Sequence, residues 1–126
     1  ISAIKLQSGA LALIYNALRF NDDTSKTVWP HQRCPVTFAI SEDNGKTWPY
    51  KRIIEMGEGF VGEYNDINNR RYEYPVMMQG ADGKIHAAYS WGERRCVKYV
   101  CVDEAWIRGE KMLPGAEGDP SMPCQR

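Results

Sequence analysis

An all-β fold follows from three features of the 126-residue chain. Short apolar runs alternate with polar residues at the two-residue period of a half-buried strand. Gly, Asn and Asp clusters break these runs at short intervals. One helical turn is expected, over residues 103–108 near the end of the chain. Hydrophobic residues make up 43 % and charged residues 25 % of the sequence, which is the composition of a folded domain.

The elements follow in order. Residues 1–6 form a first strand, and Gln7-Ser8-Gly9 a turn. Residues 10–15 form a second, with Leu11, Leu13 and Tyr15 on one face and Ile14 on the other. A long polar connection runs over 16–35. The third strand spans 36–40, a turn-rich stretch spans 41–48, and the fourth strand spans 50–55. A second long connection covers 56–73. Strands are then expected over 74–79, 84–90 and 96–102, with Ala81-Asp82-Gly83 as a hairpin signal. The tail after 108 carries three prolines and reads as an extended segment. Four strands are thus followed by three. A four-stranded antiparallel meander is the unit of a propeller blade. The organisation is therefore a blade over 1–55, a connecting loop over 56–73, a partial blade over 74–108 and a tail over 109–126.

Several functional classes are disfavoured. Sixteen basic residues balance sixteen acidic ones, so the chain lacks the charge excess of a nucleic-acid binder. No apolar run is long enough to span a bilayer, and no signal peptide is visible. Cys34, Cys96, Cys101 and Cys124 form no CxxC pair, so neither a zinc knuckle nor any other metal or cofactor site is expected. Cys96 and Cys101, five apart on one strand, point to opposite faces and are expected to stay reduced.

The segment Ser41-Glu42-Asp43-Asn44-Gly45-Lys46-Thr47-Trp48 reads S-x-D-x-G-x-T-W. Gly45 supplies the positive φ that a tight reversal requires. The Asp43 carboxylate accepts turn amides. Ser41 and Thr47 add hydrogen bonds, and Trp48 lays an indole on the sheet. This is a structural device and carries no chemistry of its own. The run resembles the Asp box, or BNR repeat, of the sialidase superfamily. The stretch ISAIKLQSGALALIYN is similar to the strand pair that precedes such a box, and RCPVTFAISEDNGKTW to the segment running into it. EYPVMMQGADGKIHAAYSWGERRCVKYVCVDEAWI resembles the last blade of these proteins. The likeness spans residues 1–108 and leaves the final 18 unmatched.

The resemblance implies roughly two blades of a six-bladed propeller, from the C-terminal part of a longer protein that opens before Ile1. It implies a glycoside hydrolase acting on terminal sialic-acid-type sugars of glycoconjugates. Arg33 matches the last arginine of the triad that grips the sugar carboxylate. Tyr74 matches the tyrosine nucleophile. A neutral phenol suits that role because a carboxylate nucleophile is repelled by the substrate's own carboxylate. Two further arginines, an acid/base aspartate and a glutamate beside the tyrosine lie upstream of this region in the family. This chain by itself is therefore expected to be inactive.

Geometry supports the same placement. In an antiparallel blade the two long connections emerge at the end opposite the 41–48 turn, and Arg33 and Tyr74 flank them. Other readings stay open. Arg33 pairs with Asp22 or Asp23, or Tyr74 is a core tyrosine. His31 is open, and Arg70 and Arg71 read as a solvated rim. His86 reads as a sheet-face histidine, Tyr89, Trp91 and Tyr99 as packing residues, and Arg94, Arg95 and Lys98 as an exposed basic edge. The alternatives of another class are a structural or interaction subunit of a larger assembly, or a carbohydrate-binding propeller without hydrolysis. Open sheet edges call for the remaining blades or for a partner protein.

Overall fold

The computed structural model describes residues 1–17, 33, 35–55, 72–92 and 94–109. Seven strands and one helical turn form two sheets. The first sheet is a meander of β1 (Ser2–Lys5), β2 (Leu11–Asn16), β3 (Val36–Ser41) and β4 (Tyr50–Glu55), in that spatial order. The second is β5 (Tyr72–Gln79), β6 (Ile85–Trp91) and β7 (Cys96–Val102). All neighbouring strands are antiparallel. A single turn, α1 (Glu104–Ile107), follows β7.

Register explains which residues pack. Ala12 faces Ile40, Ile14 faces Phe38, and Phe38 faces Arg52 across the next strand pair. These residues share one face and meet Tyr72, Met77, Ile85, Ala87, Tyr89 and Val102 of the second sheet in one core. Ile14, Phe38 and Ile40 lose all solvent contact, and such burial contributes about 1.5–3 kcal/mol per large side chain. β3 is buried along its whole length. Its far face carries only the small residues Thr37, Ala39 and Ser41, which lets the flanking strands close over it.

α1 closes the core from one end. The Asp103 carboxylate caps it by accepting the Trp106 amide at 2.7 Å. Trp106 and Ile107 are buried, with Trp106 edge-on to Phe38. Arg52, 4 % exposed, donates to the Trp106 carbonyl at 2.6 Å and stacks on its ring at 4.2 Å.

The two ends of the sheets differ. One end holds tight turns. Gln7 joins two of them, with its amide donating to Gln79 Oε1 at 2.7 Å and its Nε2 to the Gly80 carbonyl at 3.0 Å. The 41–48 turn lies at this end too. Asp43 Oδ1 accepts the Thr47 amide, Asp43 Oδ2 accepts the Thr47 hydroxyl, and Ser41 Oγ accepts the Gly45 amide while donating to Asp43. Trp48 Nε1 donates to the Gly45 carbonyl, and Gly45 takes φ +85°. These donors pull the Asp43 carboxyl down to about 2, the Thr47 hydroxyl most of all. Arg108 reaches from beyond α1 to Glu42 of the same turn, at 2.7 Å.

The other end receives the long connections. The Tyr72 amide donates to the Arg33 carbonyl at 3.0 Å, and Asn16 Nδ2 donates to the Pro35 and Tyr72 carbonyls. Arg33 therefore sits against the first residue of β5. The strand expected from residue 74 begins two residues earlier, because these backbone bonds extend the pairing to Tyr72. The body of the connections, His31, Arg70, Arg71, Asp22, Asp23, Cys34 and the tail from 110 with Cys124 lie outside the described residues.

Candidate functional site

At the long-connection end, β5 departs from regular pairing. Glu73 faces Ser90 and Val76 faces Ala88, so the bulged segment between them carries Tyr74 and Pro75. Tyr74 takes φ +52°, in the left-handed region. Such a conformation costs a bulky residue about 1–2 kcal/mol. The bulge turns the phenol outward, leaving Tyr74 68 % exposed, while Glu73 on its N-terminal side is 3 % exposed.

Alternation predicts that Glu73 and Tyr74 point apart, and their burial agrees. A third residue bridges them. Arg94, in the short connection from β6 to β7, donates through Nε to Glu73 Oε2 at 2.5 Å and through Nη2 to the Tyr74 oxygen at 3.1 Å. Its guanidinium lies 5.4 Å from the Tyr74 ring centre. Arg94 also holds a left-handed backbone, at φ +69°. The buried Glu73 carboxylate, by its hydrogen bond and its charge, holds Arg94 more firmly protonated than usual.

A second ionic group lies beneath. The Tyr89 hydroxyl, with its ring 1 % exposed, donates to Glu55 Oε1 at 2.9 Å. Burial chiefly, then the Glu55 charge, pushes the Tyr89 phenol up, so it stays protonated. Lys98 of β7 reaches the same Glu55 carboxylate.

Two expectations from sequence are thereby refined. Arg94, Arg95 and Lys98 are exposed, as expected of a basic edge, but Arg94 pairs with Glu73 and Lys98 with Glu55. Of the three aromatic residues read as packing, Tyr89 is buried, whereas Trp91 and Tyr99 are 40 % and 61 % exposed and Tyr99 stacks on His86. His86 lies on the sheet face, its Nδ1 2.6 Å from the Tyr99 hydroxyl. Arg33 and Tyr74 are brought to the same end of the two sheets, joined through Tyr72. Arg33 is half-buried and has a partner of its own. Among the described residues, no group of three or more His, Cys, Asp or Glu side chains forms a metal site. Cys96 and Cys101 are exposed free thiols.

The signal that could have exposed Arg94 is weak. Gly92 and the residues after it mark a tight connection, but nothing in their spacing says where the guanidinium goes.

The second sheet is uncovered on its outer face. Val76, Met78, Val97 and Tyr99 are each more than half exposed there, around a shallow apolar groove of about 320 Å³ that His86 and Ala88 help to line. One face of this sheet is packed on the first sheet and the other also carries large apolar side chains, as in a blade with neighbours on both sides.

The model of the BNR repeat-like domain matches residues 1–87, which takes in the whole first sheet and β5. The chain belongs to this family. It is a sialidase-like BNR repeat protein, and its sheets of four and three antiparallel strands are propeller blades. Comparison with curated proteins and with solved structures gave no match. Among the described residues, no helix of this BNR repeat protein is long and apolar enough to cross a membrane.

Proposed function

We propose that this BNR repeat chain builds part of the sugar-binding end of a sialidase-like propeller that hydrolyses terminal sialic-acid-type residues of glycoconjugates. The observation that carries the reading is the presentation of Tyr74. A bulge and a left-handed backbone aim its phenol outward at the long-connection end, beside the Arg94 guanidinium, while the Arg33 backbone lies against Tyr72 two residues earlier. Backbone strain at a solvent-facing polar side chain is the pattern of a functional position. A phenol attacks the anomeric carbon of an anionic sugar without the repulsion that a carboxylate meets. Arg33 contributes a planar fork suited to the sugar carboxylate.

An acid/base carboxylate and further arginines come from the rest of the propeller in this reading. The uncovered face of β5–β7 then receives a neighbouring blade or a partner protein. A second reading, a structural subunit without turnover, is favoured by that apolar face alone.

The test is release of free sialic acid from sialyllactose by the native protein. Tyr74→Phe is expected to lower kcat at least about a thousandfold with little change in KM. Turnover that survives Tyr74→Phe removes the tyrosine mechanism. Absence of turnover, with an intact apolar interface, favours the structural subunit.

A further inference from the structure

The Arg94–Glu73–Tyr74 cluster has a consequence for how an anionic sugar is held. A guanidinium carries five N–H donors. Here Nε–H goes to Glu73 and one Nη2–H to Tyr74. The Nη1 hydrogens remain on a side chain that is 54 % exposed. The supporting carboxylate is almost fully buried, its side chain being 4 % exposed, so the fork is braced from below and open above. Bracing removes the rotamer freedom that a free arginine loses when it grips a ligand. The Tyr74 oxygen accepts from Arg94, so its own hydrogen is directed away from the guanidinium.

In a sialic-acid-type sugar the carboxylate is bonded to the anomeric carbon itself. A carboxylate on the open edge of a guanidinium lies in the plane of its N–H groups. The anomeric carbon is then one bond from that carboxylate and next to whatever oxygen the same guanidinium holds. In this protein that oxygen belongs to Tyr74.

We propose that Arg94 is a carboxylate-binding residue of this site, additional to Arg33, and that its shared hydrogen bond with Tyr74 sets the anomeric carbon against the phenol. The proposal rests on the anionic-sugar reading above and adds the residue that couples sugar recognition to the tyrosine. Glu73 acts through Arg94 and is a positioning residue.

The experiment is calorimetric binding of N-acetylneuraminic acid to the native protein, with N-acetylglucosamine as a sugar lacking the carboxylate. Arg94→Gln is expected to weaken binding of the acid about tenfold or more, with Arg94→Lys intermediate because the charge stays and the fork is lost. Glu73→Gln is expected to weaken it less, by freeing the guanidinium. Binding that is unchanged in Arg94→Gln but lost in Arg33→Gln overturns the proposal and leaves the anionic-sugar reading standing. No binding of the acid to the wild-type protein overturns both. Thermal melts check that each variant folds. Should Arg94→Gln fail to fold, the Arg94 Nε–H resonance of the wild-type protein decides the matter: it shifts on adding the acid if the proposal holds, and stays fixed if it does not.

Discussion

Tyr74 carries a cost that its environment does not require. Its ring is mostly in solvent, so little apolar burial offsets the left-handed backbone. A glycine adopts φ +52° freely, whereas a β-branched residue resists it. Tyr74→Val is therefore expected to be less stable than Tyr74→Gly by about 1–2 kcal/mol in urea unfolding. Equal stabilities would mean that the backbone at residue 74 relaxes when the side chain changes.

Asp43 gives a pH-dependent prediction. Its carboxyl titrates at about 2 in the folded protein, below the ordinary carboxylate value, because the Thr47 and Ser41 groups favour the charged form. A depressed folded-state value adds stability above the ordinary value, and that stability is lost as pH falls through the folded one. The contribution is thus complete above about pH 4 and disappears towards pH 2. Asp43→Asn is expected to flatten the stability profile in that window and to leave its shape near neutrality unchanged. Thermal melts across pH 2–5 read this directly.

At the scale of elements, α1 and Arg52 form one unit. The Arg52 guanidinium satisfies a carbonyl at the end of α1 and stacks on the Trp106 ring. Arg52→Met keeps most of the volume but leaves the Trp106 carbonyl without that donor. The expected loss is about 1–3 kcal/mol, seen as a lower urea midpoint with an unchanged slope. A changed slope would instead report that α1 has detached.

Element positions were legible because strand alternation and turn chemistry are local. Leu11, Leu13 and Tyr15 do share a face opposite Ile14, and β4 spans the residues read from the sequence. The start of β5 was not legible, because the Tyr72 pairing depends on Arg33 and Asn16, far away in the chain. The Arg94 bridge was hidden for a related reason. Two residues that alternate across a strand meet one guanidinium only because a bulge and a left-handed turn re-aim the groups. Pro75 inside a strand hints at the bulge, but nothing at Arg94 foretells its left-handed backbone. Arg33 and Tyr74 came from likeness to a family motif, and their common end came from counting antiparallel strands.

At the scale of the molecule, the asymmetry between the faces of the second sheet matters most. Its inner face is sealed by the first sheet, while Val76, Met78, Val97 and Tyr99 stay in water on the outer face. Val76→Lys with Met78→Lys is expected to leave the fold of these two blades intact and, in the proposed ring, to weaken the contact with the neighbouring blade, seen as a lower melting temperature of the native particle. Such an outcome locates the missing contact on this face.

The site proposed for anionic sugars needs the rest of a ring, so the most direct measurement is the mass of the native particle that contains this chain. Two blades of a six-bladed ring predict a particle about three times 14.4 kDa, whether as one longer polypeptide or as an assembly. A monodisperse native particle of 14.4 kDa, with the outer face of β5–β7 open to solvent, would contradict the account.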